Sequence, residues 1–321
     1  MSRLMLIFFV SLELCYYLLI VQTGIVEHFS SNIYFLAPLP IGGVIGSLLS
    51  FYLKTTNSNK ISFFLIIQFM LSLFYPNLSQ IMLFLLGVCA GALAPLMIHE
   101  LKKATATDLG LSLSVSYIVG TFLFNYEASK RGDLAIFFTC IVFISSRFLP
   151  KEKAKNYSFE NHSLLMMMLW IFLDSALFES LSRDLSIPIW RGGFSYEIAI
   201  FHILGIIASF SLTIGKNQKE LLIIILFAFS YLLYFLREAY LLSMIYPFVI
   251  SYYNIVILQS ILKKDFKTIG IYMVFIGWVA SGAGLFVAVE NFILFVPVTF
   301  LLIFFGIINT QTSKNKEIRY V

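Results

Sequence analysis

Two carboxylates stand inside apolar runs that should carry none. Glu13 lies near the middle of the first run, in SLELCYY, and Asp174 near the middle of another, in WIFLDSALFE. A charged group at bilayer depth costs roughly 2.5–3.5 kcal/mol on insertion scales, so each is a functional candidate. The two are 161 positions apart, an interval that recurs along the chain. A pair of acids facing one aqueous cavity could bind a cation or exchange protons. The plainer reading is that each hydrogen-bonds a neighbouring helix and serves assembly. Glu179, five residues past Asp174, falls nearer the end of its run and off the same face.

Aromatic residues accompany both acids. Tyr16 and Tyr17 follow Glu13 by three and four residues, and Trp170 precedes Asp174 by four, so helical spacing puts them on shared faces. Rings beside a carboxylate suit an organic cation. Aromatic residues make up 17% of the chain, however, and core packing accounts for them more simply. A later run holds Tyr246, Pro247, Ser251, Tyr252, Tyr253, Asn254 and Gln259, unusually polar for its setting. Tyr252, Tyr253 and Asn254 are candidates to line a cavity, with interhelical hydrogen bonding as the alternative. His202 is a further candidate, since histidine can shuttle protons, although a lone histidine is more often a packing residue. The four histidines and three cysteines are dispersed and form no metal-ligand spacing, so neither metal nor cofactor is expected. No phosphate loop, nucleophile elbow or His-Glu-x-x-His motif is present, and no enzymatic activity is expected. Arg237, next to Glu238 in a tight turn, forms either a local ion pair or a gate.

The elements that must position these residues are membrane spans. The chain has 321 residues, 60% hydrophobic and 12% charged, where a soluble domain carries about 25% charge. Twelve apolar stretches fall at roughly 4–23, 33–53, 61–75, 79–99, 109–125, 134–149, 163–182, 196–214, 220–236, 240–262, 269–289 and 292–309. A span needs roughly 20 apolar residues, so the twelve leave room for loops and tails only. Continuous apolar runs imply helices rather than alternating barrel strands. The first run is too long for a signal peptide and lacks a small-x-small site after it, so it is read as a span.

Charge sets the orientation. With the chain folded back and forth through these spans, 17 of its 22 Lys and Arg fall on one face. Only Lys130, Arg131, Arg183, Arg191 and Arg237 fall on the other. Short cytoplasmic loops retain positive charge, so the first face, with both termini, is expected in the cytoplasm. The same loops explain the net charge of +5, which is no argument for nucleic acid.

The two halves repeat. The longest polar stretch, RFLPKEKAKNYSFENHS, divides the spans six and six. Gly46, Ser50, Phe51, Leu53 and Lys60 recur 159 residues later as Gly205, Ser209, Phe210, Leu212 and Lys219. Leu101-Lys102-Lys103 recurs 161 later as Leu262-Lys263-Lys264, and Gly110 recurs 160 later as Gly270. A duplicated unit of six spans gives halves of the same orientation, related by an axis along the membrane normal. The expected units are residues 1–149, a linker at 150–162, and residues 163–321.

This arrangement resembles the major facilitator superfamily, and the resemblance covers essentially the whole chain. The family's loop between spans 2 and 3 reads G-x-x-x-D-R/K-x-G-R/K-R/K. The corresponding stretch here begins at Gly46 and ends at Lys60, with Ser50 in the place of the Asp and without the second Gly. The stretch LLGVCAGALAPLMIHEL is similar to the family's Gly/Ala-rich fourth helix. The resemblance implies an all-α integral membrane fold of twelve transmembrane helices in two parallel, pseudo-symmetric six-helix bundles. It further implies that spans 1 and 7 line the central cavity and that Gly46 contributes to gating.

The expected function is secondary active transport of a small solute by alternating access, coupled to protons or another cation through Glu13 or Asp174. The expected partners are a small-molecule or ion substrate and the lipid bilayer, with the chain as a monomer in a bacterial cytoplasmic (inner) membrane. The alternatives are an assembly or scaffold protein that kept the transporter fold, or an exporter of the drug/metabolite type with inverted halves.

Overall fold

A computed structural model describes residues 2–151 and 160–300 of the chain. Among the described residues every regular element is helical. The helices are α1 (Ser2–His28), α2 (Asn32–Tyr52), α3 (Asn57–Ser72), α4 (Gln80–Leu101), α5 (Ala106–Leu123), α6 (Gly132–Ser146), α7 (Leu164–Arg183), α8 (Ser195–Ser211), α9 (Lys216–Leu236), α10 (Ala239–Ile261) and α11 (Phe266–Val289). Eight of them are long and apolar enough to cross a membrane; α3, α6 and α8 are shorter. The twelfth expected span opens with a 3-10 turn at Phe292–Phe295, and its second half lies outside the described residues, as do most of the expected linker and the terminal tail.

Helix starts follow local chemistry. The Thr105 hydroxyl accepts from the Asp108 N–H while the Asp108 carboxylate accepts from the Thr105 N–H, closing a capping box on α5. Ser79, Ser163 and Asp265 cap α4, α7 and α11 by accepting the N–H three residues on. Thr56 does the same for α3 and starts it four residues before the apolar run at Ile61. Two helices change pitch. Residues Tyr17–Gly24 of α1 and Val274–Ala280 of α11 are π-helical, a geometry often found at functional positions.

The packing falls into two groups. In the first, α2 lies on α4, α1 lies on α5 and α6, and α3 lies on α4 and α6. In the second, α8 lies on α10, α7 lies on α11, and α9 lies on α10. The groups meet where α5 touches α8 and where α2 touches α11. Equivalent pairs sit six helices apart, and one contact repeats in atomic detail. A Cβ on Gly46 would come within 2.1 Å of the Val88 carbonyl, and one on Gly205 within 2.4 Å of the Phe248 carbonyl. Both glycines let two helix backbones touch, as small residues do in membrane bundles. Gly46 thus packs α2 against α4, within one group.

Both ends of the bundle carry contacts between the groups. At the lysine-rich end, Lys102 Nζ donates to the Lys264 carbonyl, and the Phe266 ring lies 4.9 Å from His99 and 5.4 Å from Lys60 Nζ. Lys60 itself donates to the Ser50 carbonyl at 2.7 Å, so a backbone oxygen holds this lysine where the resembled motif has an acid. At the opposite end, Arg191 pairs with Glu27 at 2.8 Å and the Tyr34 hydroxyl donates to Glu290 at 3.1 Å.

Candidate functional site

Between the two groups lies a cavity of about 320 Å³, lined by α1, α4, α5, α7, α10 and α11 with His202 of α8. Glu13 and Asp174 both reach it. The sequence places them at mid-span, and the packing turns both inward, so neither carboxylate meets lipid.

Their surroundings differ. Glu13 is buried and accepts one hydrogen bond, from Gln68 Nε2 at 3.2 Å. The same amide nitrogen reaches Thr139 Oγ1 at 3.3 Å, while Gln68 Oε1 has no partner among the described residues. Asp174 is held on both oxygens. Tyr246 donates to Oδ1 at 2.7 Å and Tyr253 to Oδ2 at 2.6 Å. The Tyr246 hydroxyl also lies 3.0 Å from the Asp174 carbonyl, and Tyr231 donates to the preceding carbonyl, Leu173, at 2.7 Å. Three tyrosines from α9 and α10 thereby fix this stretch of α7.

Several of the sequence candidates meet here. Tyr16, Tyr17, His202, Tyr253 and Asn254 all line the cavity. The Tyr16 hydroxyl is turned to α3, 3.0 Å from Ser72 Oγ. Tyr17 meets Trp278 edge to face, ring centroids 6.4 Å apart, joining the π-helical turns of α1 and α11. Asn254 donates to the Tyr117 hydroxyl at 2.9 Å, and Tyr117 stacks on His202 at 4.2 Å. His202 Nδ1 lies 2.6 Å from Ser251 Oγ.

Others do not. Trp170 is fully buried among the second group of helices, against His162 at 5.3 Å, and is absent from the cavity wall. Tyr252 is also buried, stacked on Phe248 with centroids 6.1 Å apart. Helical spacing from Asp174 suggests the cavity face for Trp170, but that face is wide, and the rotation of α7 carries the indole past the cavity edge. In α10, Tyr252 and Tyr253 point about 100° apart, so one faces Asp174 and the other its own group. Arg237 occupies the exposed turn between α9 and α10 in a left-handed conformation, φ 60°.

Four residues that the sequence alone does not single out line the cavity or brace the helix that carries Glu13. Trp190 lines the cavity from the α7–α8 loop and stacks on Phe124 at 5.4 Å. Gln22 lines it from α1 and donates to Glu179 of α7 at 3.5 Å. Gln68 is a lone amide in an otherwise apolar stretch of α3, and that isolation is a usable signal. Arg131 is 1% exposed and surrounds itself with oxygens: the carbonyls of Leu19, Phe124 and Tyr126 and the Thr23 hydroxyl, at 2.7–2.9 Å. Leu19 and Thr23 belong to the π-helical turn of α1, whose wide pitch frees carbonyls for such a donor.

No family model matches the sequence, and no curated protein does. Solved structures do match. The human organic anion transporter MFSD10 (TETRAN) superposes with a TM-score of 0.61 at 14% identity, covering 95% of this chain and 98% of that one. A bacterial homologue of the iron transporter ferroportin, in an outward-facing state, superposes with a TM-score of 0.54 at 11% identity, covering 94% and 95%. At such identities the likeness is one of fold. This chain has, over nearly its whole length, the fold of these two proteins.

Proposed function

We propose that the chain is a secondary active transporter that moves a small solute by alternating access. The observation that carries this reading is that Glu13 and Asp174, from corresponding positions in the two repeats, line one cavity between the two groups of helices. The groups are two parallel six-helix bundles, residues 1–149 and 163–321, joined by a cytoplasmic linker at 150–162. They rock about the cavity, and the contacts at each end of the bundle form and break in turn. The lysine-rich end is cytoplasmic, from the charge split along the sequence, in a bacterial inner membrane.

Glu13 is the better placed proton site and Asp174 the better placed solute site. Glu13 has one amide partner, so a change in its charge needs few other adjustments. Asp174 is fixed by two phenols and lies in the same cavity as Phe124, Phe178 and Trp190.

Solvent access separates this reading from a scaffold that merely keeps the fold. A cysteine replacing Ala94, which lines the cavity, is introduced after Cys15, Cys89 and Cys140 are changed to alanine. It is then exposed to a membrane-impermeant maleimide from either side, in right-side-out and inside-out vesicles. Labelling from both sides is expected. A scaffold with a sealed interior labels from neither.

A further inference from the structure

The wall of the cavity carries a sign. Its lining residues among those described include Glu13 and Asp174 and no lysine or arginine. Three polar side chains of the wall donate to other residues: Tyr253 to Asp174, Asn254 to Tyr117 and Gln22 to Glu179, while Tyr246, outside the wall, holds the other Asp174 oxygen. An anion entering this space would meet two carboxylates and no lysine or arginine to oppose its charge. An ionised carboxylate offers about four acceptor positions, and Asp174 uses two of them on its tyrosines. The remainder stay available to a cation.

The shape narrows the class. Phe124, Phe178, Trp190 and Tyr253 line the part of the cavity that holds Asp174. Phe178 stands one turn beyond Asp174 on α7, and Trp190 packs on Phe178 at 4.9 Å and on Tyr246 at 6.1 Å. Ring faces with a nearby carboxylate attract a cation that is poorly hydrated and bulky rather than a small, strongly hydrated one. Among the described residues no three His, Cys, Asp or Glu come together as metal ligands would, which points away from a bare metal ion.

We propose that the Asp174 end of the cavity binds the charged centre of an organic cation, the carboxylate opposing the charge and the Phe178–Trp190 rings enclosing its apolar groups. The proposal rests on the cavity being the solute site of the transporter reading above.

A matched pair of probes tests it. Tetraphenylphosphonium and tetraphenylborate have nearly the same shape and opposite charge. Each is measured by equilibrium dialysis against the purified full chain in detergent, with protein-free micelles subtracting partition. Saturable binding of the phosphonium, and none of the borate, is expected. Asp174→Asn, which keeps hydrogen-bonding capacity and loses the charge, should weaken phosphonium binding at least tenfold. Its thermal unfolding serves as the folding control. Equal saturable binding of both probes, or undiminished binding in folded Asp174→Asn, overturns the proposal. Should Asp174→Asn not fold, the comparison of the two probes on the unaltered chain still decides the sign. The two-sided labelling of Ala94→Cys is independent of charge. Labelling from both sides without phosphonium binding removes the organic cation and leaves the transporter. Phosphonium binding without labelling does the reverse.

Discussion

Arg191 and Glu27 tie the two groups of helices together at the lysine-poor end, Nη2 to Oε2 at 2.8 Å. The same guanidinium lies 6.0 Å from the Phe124 ring, which in turn stacks on Trp190 over the cavity. One side chain of the second group therefore holds two residues of the first. Both partners of the ion pair are partly exposed, at 35% and 46%, so the pair contributes about 0.2–1 kcal/mol. An ion pair of that strength can break without unfolding anything. Arg191→Ala is expected to leave thermal unfolding nearly unchanged. It should raise the labelling rate of Ala94→Cys from the lysine-poor side by up to about fivefold, the population change that about 1 kcal/mol gives. Rates from the lysine-rich side should fall or hold.

Arg131 behaves oppositely. It is buried, and its oxygens include the π-helical carbonyl of Leu19. Hydrogen bonds to a charged group contribute about 1.5–3 kcal/mol each and are not additive. Arg131→Leu is expected to destabilise the protein by on the order of 3 kcal/mol, read as a clear drop in unfolding temperature. Arg131→Lys keeps the charge and loses the forked geometry, so it should fall between. An Arg131→Leu protein as stable as the original would show that the α1 turn needs no such anchor.

The repeated glycine contact predicts a pair of matched losses. At Gly46 and at Gly205 an added Cβ meets a facing carbonyl at 2.1 Å and 2.4 Å, and backbone cannot step aside as a side-chain tip can. Gly46→Ala and Gly205→Ala should each cost about 1–3 kcal/mol, the usual range for overpacking. Gly282→Ala is the control, since no atom beyond its own stretch of helix lies within 4 Å of the position its methyl would take, and little change is expected. Unfolding temperatures in one detergent compare all three.

The acids predict a split between binding and coupling. Glu13→Gln retains the amide partner of Gln68 but carries no titratable group. In reconstituted vesicles it should still exchange tetraphenylphosphonium across the membrane and should fail to concentrate it under a pH gradient, relative to protein-free vesicles. Asp174→Asn should lose both. Gradient-driven accumulation at the original rate in Glu13→Gln would end its assignment as the proton site.

The sequence makes some of this legible and hides the rest for identifiable reasons. Glu13 and Asp174 stand out because acids are costly at span depth, and that cost is independent of packing. Most expected spans are found as long helices because a continuous apolar run of span length satisfies its backbone polar groups only as a helix, as with α4 and α10. Trp170 and Tyr252 are misplaced because spacing fixes a residue relative to its own helix, whereas the rotation of that helix against its neighbours is a property of the assembled bundle. Arg131 reads as an ordinary loop charge; only the folding of α1 and α6 together, with the wide turn at Leu19, surrounds it with carbonyls. Trp190 lies between spans, and nothing in its neighbours signals that its loop dips over Asp174.

The central claim is that one cavity opens to the two sides in turn, and locking either end tests it most directly. Ala94→Cys reports access while a short bis-maleimide joins a pair of further cysteines, installed and linked before Ala94→Cys is exposed by a removable thiol protection. One pair replaces Glu27 and Arg191; the other replaces Lys102 and Lys264, whose side chain and carbonyl meet at the lysine-rich end. Joining the first pair should confine labelling of the cavity to the lysine-rich side, and joining the second should confine it to the opposite side. Labelling that persists from both sides through either lock, or that is missing from both sides without any lock, contradicts alternating access.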